Sequence, residues 1–376
     1  MSDRATNVVE LPVWRSTFQP DGDAATMSAM REAFLARRSE LAIAALRDGD
    51  AFLQGRGLGS LPTGLLGDLG NRAPMAGATA EVVFDDPVFA IWLRFLLRAT
   101  ASGRSDEADM HLAQLPSVLA DVERRVTGKA ESYVPGTLIA VERWSLHPYV
   151  HAAAPPSYDF TGKTAPAEDT AAPGHPMRLQ ADVVGFALDR VRAGWPAMAE
   201  QIDEYVRVIG YLPDGTFRSC SAARYAGIIL LGNLDESVLD IEESLVHEAG
   251  HQVLYRLGEM TPLVERGTPV TAGYTLPWSG SRRDLFGYFH AYFIYVLLTK
   301  YFWRRGKMGD RYARDFQLRA MLIMASNHQA AHELAADRGL TPQARMIVGM
   351  LAVEMDELHA EMREAFPADE KEAAHG

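Results

Sequence analysis

The sequence predicts a mainly α-helical fold with a small β-sheet, an α+β arrangement in which a metal-binding helix packs against further long helices. Three observations lead there. Apolar residues recur at spacings of three and four over most of the chain, and only three short stretches carry β-branched or alternating patterns. The run His247-Glu248-Ala249-Gly250-His251 lies inside one of the helical stretches.

From about Asp23 to Leu53, Met30, Phe34, Leu35, Leu41, Ile43 and Leu46 suit helices with one apolar face. Residues 55–75 are rich in Gly and Pro without period, which predicts a loop. Helical spacing returns over 86–101 and 108–126. The stretch from Gly136 to Val150 mixes β-branched and aromatic residues and predicts a strand. An Ala/Pro/Thr-rich stretch follows it and predicts a surface loop or linker. A helix is expected near 179–204, strands near 205–212 and 227–231, and then helices near 237–258, 282–304, 310–336 and 342–365. Thr341-Pro342 is a good start for the last of these. The organisation expected is a mostly helical N-terminal region over 1–175, a metal-binding domain over 176–366 and a disordered tail over 367–376.

At 376 residues the chain can bury a sizeable core, and 48% hydrophobic against 23% charged residues is the ordinary globular balance. A net charge of -12, with no basic run longer than pairs such as Arg282-Arg283, argues against nucleic-acid binding. The single cysteine, Cys220, forms no internal disulfide, as suits a reducing cytoplasm. The first residues show no secretory pattern, and the apolar run from Leu285 to Trp303 is interrupted by His290 and Lys300, as in a buried core helix rather than a membrane span.

Residues four apart stand one turn above each other on a helix, so His247 and His251 can present two imidazoles to one ion. A catalytic ion normally takes three protein ligands and keeps open positions. Leu254 and Leu257 stand where a metzincin continuation would need Gly and His, and the helix expected over 282–304 holds no Glu. That helix does carry His290, the leading third ligand, with Asp284 and Glu243 as weaker acidic candidates. The other i, i+4 pair, His328 and His332, lies in a polar, alanine-rich stretch and reads as a solvated face.

The motif and several patches around it resemble the HExxH-type, 2-oxoglutarate-dependent peptide β-hydroxylases, a family often encoded near precursors of ribosomally made, modified peptides. Ser219-CSAARYAGIILL-Leu231 resembles the family's serine-containing turn and Gly-led strand, and Tyr274-TLPW-Trp278 with Arg282-Arg283 resembles its Tyr/Pro-Trp loop. Leu285-FGYFHAYF-Phe293 resembles its histidine-bearing helix, with His290 on the histidine, and Leu340-TPQARMIVGM-Met350 its "LTP" helix start. The patches span roughly 205–355. Ser279 stands where the family has an arginine after Pro-Trp, so Arg282 and Arg283 both remain open for that role.

The resemblance implies Fe(II) on His247, His251 and His290, with 2-oxoglutarate and O2 as cosubstrates. A carbon of a peptide residue, its β-carbon first, would be hydroxylated, a ribosomal precursor peptide being the partner expected. The distal carboxylate of 2-oxoglutarate needs a forked cation or a hydroxyl, and Arg283 comes first, then Arg282 and Ser221. Tyr274 and Trp278 would wall the pocket. Glu248 divides this reading from a zinc metallopeptidase: there it is general base for a metal-bound water, here it orients a ligand. A third reading, a degenerate fold serving as a peptide-binding module, sits poorly with an intact His-Glu-His set. The sequence leaves the oligomeric state open.

Overall fold

In a computed structural model the described residues are 24–55, 80–128, 130, 132–143, 177–211, 218–221, 223, 226–232 and 237–366. The loop expected beyond Gly55, the linker before residue 177 and the tail over 367–376 lie outside them. The fold is mainly α with a small β-sheet. Its elements run α1 (Ala24–Gly55), α2 (Ala80–Asp85), α3 (Pro87–Ala101), α4 (Ser105–Val126), β1 (Ser132–Tyr133), β2 (Ala140–Arg143), α5 (Arg178–Gly194), α6 (Pro196–Tyr205), β3 (Val208–Tyr211), β4 (Ser219–Cys220), β5 (Ile228–Leu231), α7 (Val238–Met260), β6 (Tyr274–Thr275), β7 (Arg282–Arg283), α8 (Leu285–Gly306), α9 (Ala313–Ala336) and α10 (Pro342–Ala365). Among the described residues no helix is long and apolar enough to cross a membrane.

The chain divides into two compact units. Among the described residues the first holds those between Ala24 and Arg190 and between Ala199 and Met260, and the second those between Val191 and Met198 and between Thr261 and Phe366.

The sheet of the first unit has the order β1-β2-β3-β5-β4, with β2, β3 and β5 parallel and an antiparallel strand at each edge. Ala140, Val208 and Ile228 stand side by side across it, as do Val141, Ile209 and Ile229. All four residues of β2 and of β5 are buried, which requires cover on both faces. Ala140, Val208, Ile228 and Leu230 share one hydrophobic core with Phe89, Trp92 and Leu96 of α3 and Leu112, Leu115 and Val118 of α4. β2 therefore belongs to the same sheet as the strands leading to the motif helix, although the sequence reading set them apart at residue 176.

The stretch expected as one helix over 179–204 is two, parted at Trp195. Pro196 has no N–H to give and its ring clashes with the preceding turn, so it opens α6 instead of continuing α5. Gly227 marks the entry to β5: its φ of 95° is left-handed, and a Cβ there would stand 3.2 Å from Pro87 Cβ.

Asp86 joins local and tertiary order. Its Oδ1 caps α3, accepting from Val88 N at 2.8 Å and Phe89 N at 3.2 Å, and its two oxygens accept from Arg125 Nη2 and Nε at 2.9 and 2.8 Å. Both side chains are buried. In the second unit α8 packs on α9 and α10, and α9 on α10. Asp284 caps α8 through Gly287 N, and Thr341 caps α10 through Ala344 N, Pro342 opening that helix as its sequence predicts.

Removing one partner of a buried ion pair leaves a charge without compensation. Asp86→Ala is expected to lower stability by about 3–5 kcal/mol, read from chemical denaturation of the full chain. A change within about 0.5 kcal/mol, the range of unremarkable surface substitutions, would show that the pair is not structural.

Candidate metal centre

His247 and His251 lie on α7 within the first unit, one turn apart and half-buried. Their rings are 4.8 Å apart between centroids at 62°. One turn on, Tyr255 stacks on His251 at 6.0 Å and 12°, and its hydroxyl donates to Ser221 O at 3.2 Å. Burial, the largest influence, pushes the Tyr255 phenol well above its ordinary range, so it stays a neutral donor.

Beside the stripe 247-251-255 runs a second, 244-248-252-256, and all four of its side chains are buried: Ser244, Glu248, Gln252 and Arg256. Each finds partners in its own unit. Ser244 Oγ accepts from Arg218 Nε at 3.0 Å. Glu248 Oε1 accepts from Ser219 Oγ at 2.8 Å and its Oε2 from Ser221 Oγ at 2.6 Å. Gln252 accepts from Gly227 N at 2.6 Å and donates to Ile228 O at 2.8 Å. Arg256 lies between the rings of Phe34 and Tyr205 and pairs with Asp85 at 3.1 Å. Burial works to raise the Asp85 carboxyl, but Arg256, Arg207 and Arg38 together hold it below the usual range.

The two serines flank Cys220, Ser219 in β4 and Ser221 just after it, and both hydroxyls reach the same carboxylate. The sequence reading named Ser221 as a cosubstrate anchor; its one hydroxyl proton is donated to Glu248. It passed over Ser219, Gln252 and Tyr255. Only the register was available to signal the last two, which stand four residues after Glu248 and His251. Of the weaker acidic candidates, Glu243 pairs with Arg218 at 3.4 Å and Asp284 is occupied as the α8 cap.

The remaining expected residues belong to the second unit. His290 is buried on α8 with its ring tilted against Phe286. Arg282 and Arg283 form β7 and are exposed, Arg282 donating to Ala272 O and Arg283 to Arg282 O. The dry setting that a forked arginine would favour for a carboxylate is not theirs. Tyr274 stacks on Tyr288 at 5.5 Å and donates to Asp337, a hydrogen bond that, with burial, raises its phenol to about 12. Trp278 lies flat on Tyr295 at 4.5 Å and 2° and donates to Asn327 Oδ1 at 3.0 Å. Both named aromatics thus belong to a packed, hydrogen-bonded wall.

No protein-family model matches the sequence, and no curated protein matches it. The functional reading therefore stands on the chemistry of the residues. Two half-buried imidazoles on one helix face suit a divalent transition cation. Among the described residues no three His, Cys, Asp or Glu side chains gather into a group that could hold one.

A hydrogen bond to a charged group contributes about 1.5–3 kcal/mol. Ser219→Ala and Ser221→Ala are each expected to lower stability by that order, because either leaves a buried carboxylate oxygen without its donor. Denaturation of the two variants checks this, and wild-type stability in both would show that Glu248 is held by other groups.

Proposed function

We propose that the protein is a non-haem Fe(II), 2-oxoglutarate-dependent oxygenase that hydroxylates a carbon, the β-carbon first, of a residue in a peptide substrate. The observation that carries this reading is the state of Glu248: it is buried, and each oxygen already accepts a serine hydroxyl. A peptidase needs that carboxylate free to take a proton from a water on zinc. Held between two serines, Glu248 instead fixes the helix face on which the imidazoles stand, which suits a reaction that activates no water.

In this reading His247 and His251 hold the ion through imidazole nitrogens, and the resemblance assigns His290 as third ligand. Fe(II) with O2 and 2-oxoglutarate supplies the oxidising power for oxygen insertion. Tyr255 keeps the His251 ring in orientation through stacking. Arg283, with Arg282 as the alternative, is proposed for the distal carboxylate of 2-oxoglutarate, and Tyr274 and Trp278 for the wall of the substrate pocket; Ser221, whose proton is committed to Glu248, is left out. A peptide encoded beside the protein, such as a ribosomal precursor, is the first substrate to try.

Anaerobically purified protein loaded with Fe(II) is expected to form succinate from 2-oxoglutarate under O2, and the peptide to gain one oxygen atom with its backbone intact. His247→Ala, His251→Ala and His290→Ala should each lose metal and turnover. Arg283→Ala should keep the metal yet raise KM for 2-oxoglutarate by up to about fivefold, roughly the 0.2–1 kcal/mol of an exposed ion pair. Zinc-supported cleavage of the peptide, without 2-oxoglutarate consumption and lost in Glu248→Gln, would establish the peptidase instead.

A further inference from the structure

His328 on α9 does not lie on a merely solvated face. Within the second unit α9 packs on α10, and at that contact His328 Nε2 and His359 Nδ1 stand 3.2 Å apart, the rings 5.1 Å between centroids at 43°. On the far side of the His328 ring, Nδ1 faces Asp356 Oδ1 at 3.5 Å. Asp356 and His359 are three apart on α10 and so share a face.

A carboxylate at Nδ1 favours the tautomer that carries its proton there, which leaves the Nε2 lone pair directed at His359. The same arrangement orients imidazoles at metal sites and fixes their tautomer. Two imidazole nitrogens bound at about 2.0–2.1 Å to one ion lie about 2.9–3.4 Å apart for angles between a right angle and tetrahedral. The observed 3.2 Å falls inside that window, so little rearrangement separates the pair from a bidentate site. His328 is about a third exposed on its side chain and His359 is exposed, so water can fill the other positions.

We propose that His328 and His359 form a second divalent-cation site, for Zn(II) or another imidazole-preferring ion, which pins α9 to α10. The site is independent of the centre on α7. It uses one nitrogen from each of two helices, so an ion bound there stabilises their packing by mass action.

Zn(II) titration by calorimetry and thermal unfolding, on a full chain carrying His247→Ala and His251→Ala, tests this. One zinc equivalent should remain, and zinc should raise Tm. His328→Gln or His359→Gln added to that chain should abolish both effects, and His332→Gln should change neither. In the otherwise wild-type chain, His359→Gln should lower the zinc stoichiometry by one, a readout that does not depend on the α7 variants folding. Absence of the retained equivalent and of that drop would overturn the proposal. So would loss of zinc on His332→Gln with His359→Gln unaffected, which would place the ligands on one helix.

Discussion

The buried polar stripe of α7 is the constraint on which the first unit turns. Ser244, Glu248, Gln252 and Arg256 point from one side of the helix into a region closed to water. An unpartnered buried polar group costs about 1–3 kcal/mol, and more if charged. The helix can therefore sit only where four sets of partners meet it. Arg218, the serines flanking Cys220, the backbone at Gly227 and Ile228, and Asp85 supply them in that order along its length. Rotation of α7 by one residue, roughly 100°, would break all four at once.

That constraint sets the adjacent stripe. His247, His251 and Tyr255 each follow one residue before a member of the buried stripe, so once the latter is locked the imidazoles have one direction to face. The motif glutamate is thus a structural anchor, and its two serine donors tie the edge of the sheet to the helix that carries His247 and His251. Both imidazoles are thus held in place by a rigid element rather than by a loop.

The second unit repeats the principle with aromatic side chains. Tyr274, Tyr288 and Trp278 stack or tilt against one another while each polar end finds a partner: Asp337, Glu333 and Asn327. Asn327 is wholly buried and also donates to Thr299 Oγ1 at 2.8 Å, joining α9 to α8. Amphipathic rings supply apolar area and a fixed polar contact together, so each ring is held both by packing and by a hydrogen bond.

The sequence by itself determined the long helices, the three parallel strands, the one-turn spacing of His247 and His251 and the Thr341-Pro342 start, because period, caps and i, i+4 spacing are local properties. Even there the signal had limits: apolar spacing ran on through residue 196, where a missing N–H ends the helix. The two-residue strands the sequence did not show, and Arg282–Arg283, expected at the start of a helix, form one of them. Tertiary structure decided what each polar side chain meets. That β2 pairs with β3 across more than sixty intervening residues, that Ser219 and Ser221 meet Glu248 and that His328 meets His359 all depend on partners distant in the chain. Hydrogen bonds and ion pairs are short-ranged and indifferent to sequence separation, so nothing in the local pattern of a serine, a glutamine or a histidine says which partner it will find.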